Sequence, residues 1–271
     1  MGKGRPFLEV FTCVLNEDYE FPILEFLVFL CALCTFFLAG LAAVSDFTSD
    51  FTTVEAFTHN LLSSSTWPLI ILVGIPILKN IAYGLGSDVE KGIIQTLFSY
   101  PLKRGYILTA RLLSALVIPL LLFLGISIFG LFLFFPDIIL ANPGTVFLTY
   151  AAQLSPVLLT AGLLLLLALR LKRGVLALIT GLVLCFMLFV IFDSLANSIA
   201  YATGSDWSLK IYAVITPNLA LQEYYVGTQG FSSEIWAPSF SEVLLYLLAG
   251  YLLVAVVFII GYVYFKRRLR I

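Results

Sequence analysis

Apolar residues run along the chain in six long blocks separated by shorter polar stretches, at roughly 22–45, 68–86, 112–135, 146–169, 175–193 and 243–265. Each is close to the ~20 mostly apolar residues that cross a bilayer as a helix. The pattern therefore predicts an all-α fold of six membrane spans. Twenty polar and mixed residues precede the first block in place of a short basic region, and its apolar run is too long for a signal-peptide core. It is read as an anchor.

One polar connection has a pattern of its own. From Ser87 to Pro101 the spacing predicts an amphipathic helix lying at the membrane face, N-capped by Ser87 or Asp88 and ended by Pro101. On a helical wheel Val89, Ile93, Ile94, Leu97 and Phe98 share one arc. Asp88, Lys91, Gly92, Gln95, Thr96 and Ser99 fill the opposite one. Glu90 breaks the pattern by falling inside the apolar arc, where a carboxylate needs a partner. Lys79, Arg104 and Arg111 are the cations within reach. Two readings stay open: a local salt bridge near the headgroups, or a buried contact that lets the helix move as a lever.

The basic residues alternate in side. Lys3, Arg5, Lys91, Lys103, Arg104, Arg111, Arg170, Lys172, Arg173 and the Lys266–Arg270 tail share one side, with Lys210 on the other. By the positive-inside rule, both ends of the chain are expected in the cytoplasm. The outer connections are then 46–67, 136–145 and 194–242. The last carries Trp207, Tyr212, Pro217, Tyr224, Tyr225 and Trp236, a composition suited to segments dipping into the interface. His59, in the first, is expected to be a solvated side chain.

Composition strengthens the membrane reading. Of 271 residues, 61% are hydrophobic and 11% charged, against about 25% charged in soluble domains. Mean hydropathy is +1.05 and the sequence pI about 5.8, with no basic soluble domain, which argues against a nucleic-acid partner. One histidine rules out metal centres built on several imidazoles. Cys31 and Cys34 have redox-motif spacing but lie inside the first span, and are read as buried free thiols.

Within the spans, Pro76, Pro119 and Pro156 are expected to kink their helices. Gly125, Gly130, Gly181, Gly250 and Gly261 fit close helix packing. Glu25 and Lys79 are expected to pair between spans one and two. Asp193, at the outer end of span five, is a candidate for a pathway or gating role. Gln153 shares that candidacy, although Gln153 and Ser155 read first as interhelical hydrogen bonders.

The residues Glu90-x-Gly92, Leu97, Pro101, Arg104 and Leu108-Thr-Ala-Arg111 resemble the ABC type-2 exporter permeases, which carry an acidic-x-Gly helix after their second span. They then carry a proline and a basic residue before the third. Ile215-Thr-Pro-Asn218 and the tail Phe265-Lys-Arg-Arg268 extend the resemblance, while Ala110-Arg111 stands where Gly-Lys is usual and Ile93 where Thr is commoner. The resemblance implies an interfacial helix within residues 1–21, over 5–18, and a permease domain over 22–271. It implies a dimer with a second copy or a related permease, in the plasma membrane, joined to two copies of a separate ABC ATPase subunit. Asp88, Glu90, Lys91, Gly92, Gln95, Ser99, Pro101 and Arg104 would form the ATPase-coupling element, and residues 194–240 would include short re-entrant helices. ATP and Mg would be bound by the ATPase partner, with no cofactor in this chain.

The sequence supports that division of labour. It holds no Gly-x-x-x-x-Gly-Lys-[Ser/Thr] run, so it offers no phosphate loop of its own. An intramembrane hydrolase would need a convergent nucleophile–base or metal set, which one His and one span-end Asp do not supply. An assembly subunit and a carrier not driven by ATP remain as alternatives. A carrier would want a charge near the middle of the bilayer. The apolar spans lean toward amphipathic or lipid-like cargo.

Overall fold

The computed structural model describes residues 5–20, 22–44, 53–94, 96, 104–228 and 235–268, and these are helical throughout with short turns between. The order is α1 (Arg5–Asp18), α2 (Ile23–Val44), α3 (Val54–Ile77), a π-helical stretch (Leu78–Leu85), α4 (Gly86–Glu90), α5 (Arg104–Phe134) and α6 (Pro136–Ala141). Then come α7 (Pro143–Leu171), α8 (Gly174–Phe186), a second π stretch (Met187–Ile191), α9 (Phe192–Thr203), α10 (Trp207–Ile215), α11 (Pro217–Thr228) and α12 (Phe240–Arg268).

Six helical runs are long and apolar enough to cross a membrane: Ile23–Ala42, Leu69–Glu90, Gly105–Phe134, Pro143–Leu171, Gly174–Thr203 and Phe240–Arg267. The chain is a multi-pass membrane protein. Spans two and four form its centre and are the most buried, and span five is the least. Hydrophobic side chains on the outer spans face outward, as a lipid solvent allows. The main core joins spans one to four around Leu69, Ile77, Ile81, Phe123, Leu164 and Leu165. A second, aromatic core joins α10, α11 and the start of span six through Tyr212, Tyr225, Trp236 and Tyr246.

Helices run past several sequence-predicted boundaries because nothing in the backbone stops them. Thr53 caps α3 by accepting from the Ala56 N–H at 3.3 Å, so the predicted connection 46–67 is helical from Val54. The predicted cap at Ser87 or Asp88 is corrected in the same way. Both residues lie inside a helix that continues from span two to Glu90. It stops there because Gly92 takes the left-handed conformation, at φ 73°, which glycine adopts without steric cost.

Gly130, Gly181, Gly250 and Gly261 sit where an added Cβ would collide with a neighbouring helix; at Gly181 it would lie 2.5 Å from the Leu164 side chain. Gly125 has open space beside it, which corrects its reading as a packing position.

Candidate functional site

Two polar centres lie within the apolar bundle. The first is an ionic cluster where the end of span two, the start of span three and α1 meet. Arg111 is buried and forms ion pairs with three carboxylates, Asp88 at 2.6 Å, Glu17 at 2.9 Å and Asp18 at 3.4 Å, donating hydrogen bonds to the last two. Asp18 also accepts from the Ser114 hydroxyl at 2.6 Å, and Lys79 donates to the Asp18 carbonyl at 3.2 Å. Tyr19 closes the cluster by donating to the Ser114 carbonyl at 3.2 Å. Burial pushes the Asp18 carboxyl up from its ordinary value, while Ser114 and Arg111 pull it back. A lone guanidinium in an apolar helix is costly, and a fork of donors is the geometry that can hold several carboxylates at once.

The cluster reverses the expected parts of two acids. Asp88, placed on the polar arc facing a partner, is buried against Arg111. Glu90, placed in the apolar arc, is exposed at its side chain and accepts from the Gly174 N–H at 3.0 Å, at the first turn of span five. The cation near Glu90 in the sequence analysis therefore serves Asp88. Lys79 goes to Asp18 in place of the expected Glu25, which is exposed. Lys91 is exposed, and Gly92 forms the turn. Arg104 opens α5. Gln95, Ser99 and Pro101 lie outside the described residues.

The reason for the reversal is phase. The wheel treats 87–99 as one helix, whereas the chain turns at Lys91 and Gly92, so Asp88 and Glu90 belong to the end of span two and take their rotation from it. Glu17 and Asp18 went unread as site residues. The available signal was Arg111 itself, a cation in an apolar stretch, which requires buried carboxylates somewhere.

The second centre is a cavity of about 590 Å³ at the opposite, aromatic end, between α3, span four, span five, α10 and α11. Asp193 and Gln153, singled out separately, line this one cavity. Gln153 accepts from Thr66 at 2.7 Å, so the expected interhelical bond is present as well. Thr216 and Asn218 come from the break between α10 and α11.

His59 also lines it, and is not solvated. It is buried, stacked on Tyr225 with ring centroids 5.0 Å apart, and its Nδ1 lies 3.0 Å from the Thr149 hydroxyl. Burial lowers its pKa to about 4, so the imidazole is neutral near pH 7. The connection 194–242 supplies two short helices here, α10 and α11, in keeping with its aromatic composition.

In comparisons with known proteins, no family profile fits the chain and no curated protein matches it.

Proposed function

We propose that the chain is the membrane permease subunit of an ATP-driven exporter, working as a dimer with separate ATPase subunits in the plasma membrane, its ionic end toward the cytoplasm. The observation that carries the reading is the Arg111 fork. Asp88 and Arg111 flank the connection between spans two and three, and Glu17 and Asp18 bind the same guanidinium from α1. Glu90 adds span five through Gly174.

A push on that connection is thus shared by spans two, three and five and by α1. None of them can leave without exposing an unpaired buried charge or an uncapped helix end. Such clamping suits an element that converts a partner's movement into rigid-body rearrangement of spans. The resemblance around Glu90-x-Gly92 and Pro101 points to an ABC ATPase as that partner, with ATP and Mg bound there.

The test is purification of the tagged protein from its native membrane in mild detergent. A stoichiometric ATPase, lost on replacing residues 88–99, is the expected result. A protein that comes alone, without vanadate-sensitive ATP hydrolysis, rejects the reading.

One observation favours a second reading, a carrier driven by an ion gradient: Asp193 places a carboxylate on the wall of a polar cavity in the bundle. Transport in proteoliposomes that ionophores abolish and that needs no ATP would select it.

A further inference from the structure

The cavity at the aromatic end carries one sign of charge. Among the described residues that line it, Asp193 is the only carboxylate, and none is Lys or Arg. Its histidine is neutral and engaged at both nitrogens, by Thr149 at 3.0 Å and by Ser63 at 3.4 Å. Lys210, a cation at the same end, is already paired with Asp206 at 2.6 Å. Among the described residues Asp193 has no ion-pair partner, and its side chain meets only the Asn197 amide at 3.5 Å. A carboxylate in a membrane span is costly unless something compensates it.

The hydrogen-bond inventory points the same way. The two tyrosine hydroxyls on the wall are already spent as donors. Tyr212 donates to the Leu188 carbonyl and Tyr225 to Thr145, each at 3.2 Å. Left over is an acceptor, the buried Asn218 Oδ1, which finds no hydrogen-bond partner among the described residues, and beside it the buried Thr216 hydroxyl next to Tyr212, which can accept as well as donate. Phe189, Tyr212 and Tyr225 add aromatic faces, which attract cations.

Size narrows the ligand further. About 590 Å³ lies in the roughly 300–1,000 Å³ range of small-molecule sites, far more than one inorganic ion fills. An anion would meet Asp193 with no cation to receive it. A neutral polyol would leave the carboxylate uncompensated, and a quaternary ammonium has no N–H to give.

We propose that this cavity binds an organic ligand through a primary ammonium group, held by the Asp193 carboxylate with N–H donors to Thr216 and Asn218. A free amine and an ethanolamine lipid headgroup offer the same group. The site stands on its own wall chemistry, independently of any ATPase.

The test uses the full chain in phosphatidylcholine nanodiscs, without ATP or a partner, and follows the fluorescence of dansylcadaverine, an aliphatic primary amine carrying an aromatic dansyl group. Saturable binding is expected, and the N-acetylated probe should bind about tenfold more weakly or not at all. Asp193→Asn should weaken the amine about tenfold, whereas Asp193→Glu should restore most of it. Lys210→Met, outside the cavity lining, should change nothing. Nanodiscs of phosphatidylethanolamine separate the sources: loss of saturable probe binding there identifies the headgroup, and unchanged binding identifies a free amine.

Absence of saturable amine binding overturns the proposal. So does equal affinity for the acetylated probe, or unchanged affinity in an Asp193→Asn protein that elutes normally. The probe comparison on the wild-type chain decides the matter even where the variant does not fold.

Discussion

Glu90, the last residue of α4, accepts a hydrogen bond from the backbone N–H of Gly174, the first residue of α8, at 3.0 Å. The end of one span thereby caps the start of another. That N–H is one of the four donors a helix start leaves without an internal partner, and a carboxylate there also faces the positive end of the helix dipole. Glu90→Ala is expected to lower stability by about 1 kcal/mol, and Glu90→Gln, which keeps an acceptor, by less. The unfolding midpoint in detergent measures both.

The same junction makes a sharper demand on size. A Cβ on Gly174 would sit 2.9 Å from the Tyr83 carbonyl oxygen and 3.0 Å from the Ser87 nitrogen, both backbone atoms that cannot swing aside. Gly174→Ala should cost about 1–3 kcal/mol through displacement of span five from span two. Wild-type thermal stability in this variant would show that the two backbones can separate freely.

Arg111 should be the least replaceable side chain at the ionic end. Arg111→Gln leaves buried Asp88 and Asp18 without their cation, and about 3–5 kcal/mol of destabilisation is expected. Asp88→Asn should cost less, because Arg111 keeps Asp18 and Glu17. Arg111→Lys should fall between them, since an ammonium cannot fork. Monodisperse yield and melting temperature rank the three, and the reverse order would refute the fork as the organising contact.

His59 predicts an acid-side loss of stability. Its folded pKa, about 4, lies below the ordinary 6.5, so the fold favours the neutral ring. The contribution is complete above pH 6.5 and is lost as pH falls through that value toward 4, amounting to about 3 kcal/mol in all. His59→Phe keeps a ring for Tyr225 but has nothing to titrate. The difference in stability between wild type and variant should therefore shrink steadily from pH 7 to pH 4. A constant difference would mean that the ring is not buried neutral.

Gly92 should tolerate little. Its φ of 73° lies in the left-handed region, and Gly92→Ala is expected to cost about 1 kcal/mol, Gly92→Asn less. Equal stability of the three would place the helix end elsewhere.

Much of the fold is legible in the sequence. Each span announces itself through a run of apolar residues, and α1 falls on the stretch 5–18. Helix ends are less legible. The connection at 46–67 looks polar, yet Thr53 starts a helix inside it. In the 87–101 segment Asp88 and Glu90 exchange expected roles because span two sets their rotation. The cavity is legible only as separate candidates, Asp193 and Gln153, and the sequence places His59 in water although it is buried.

The sequence by itself determined that this is a six-span helical membrane protein, because hydrophobicity sums residue by residue along the chain. Partnership does not. Which acid reaches Arg111, which amide Glu90 caps, and what lines the wall around Asp193 are properties of pairs drawn from distant segments. Only tertiary packing decided them, because an intramembrane polar group takes whichever partner the helices bring within hydrogen-bond reach.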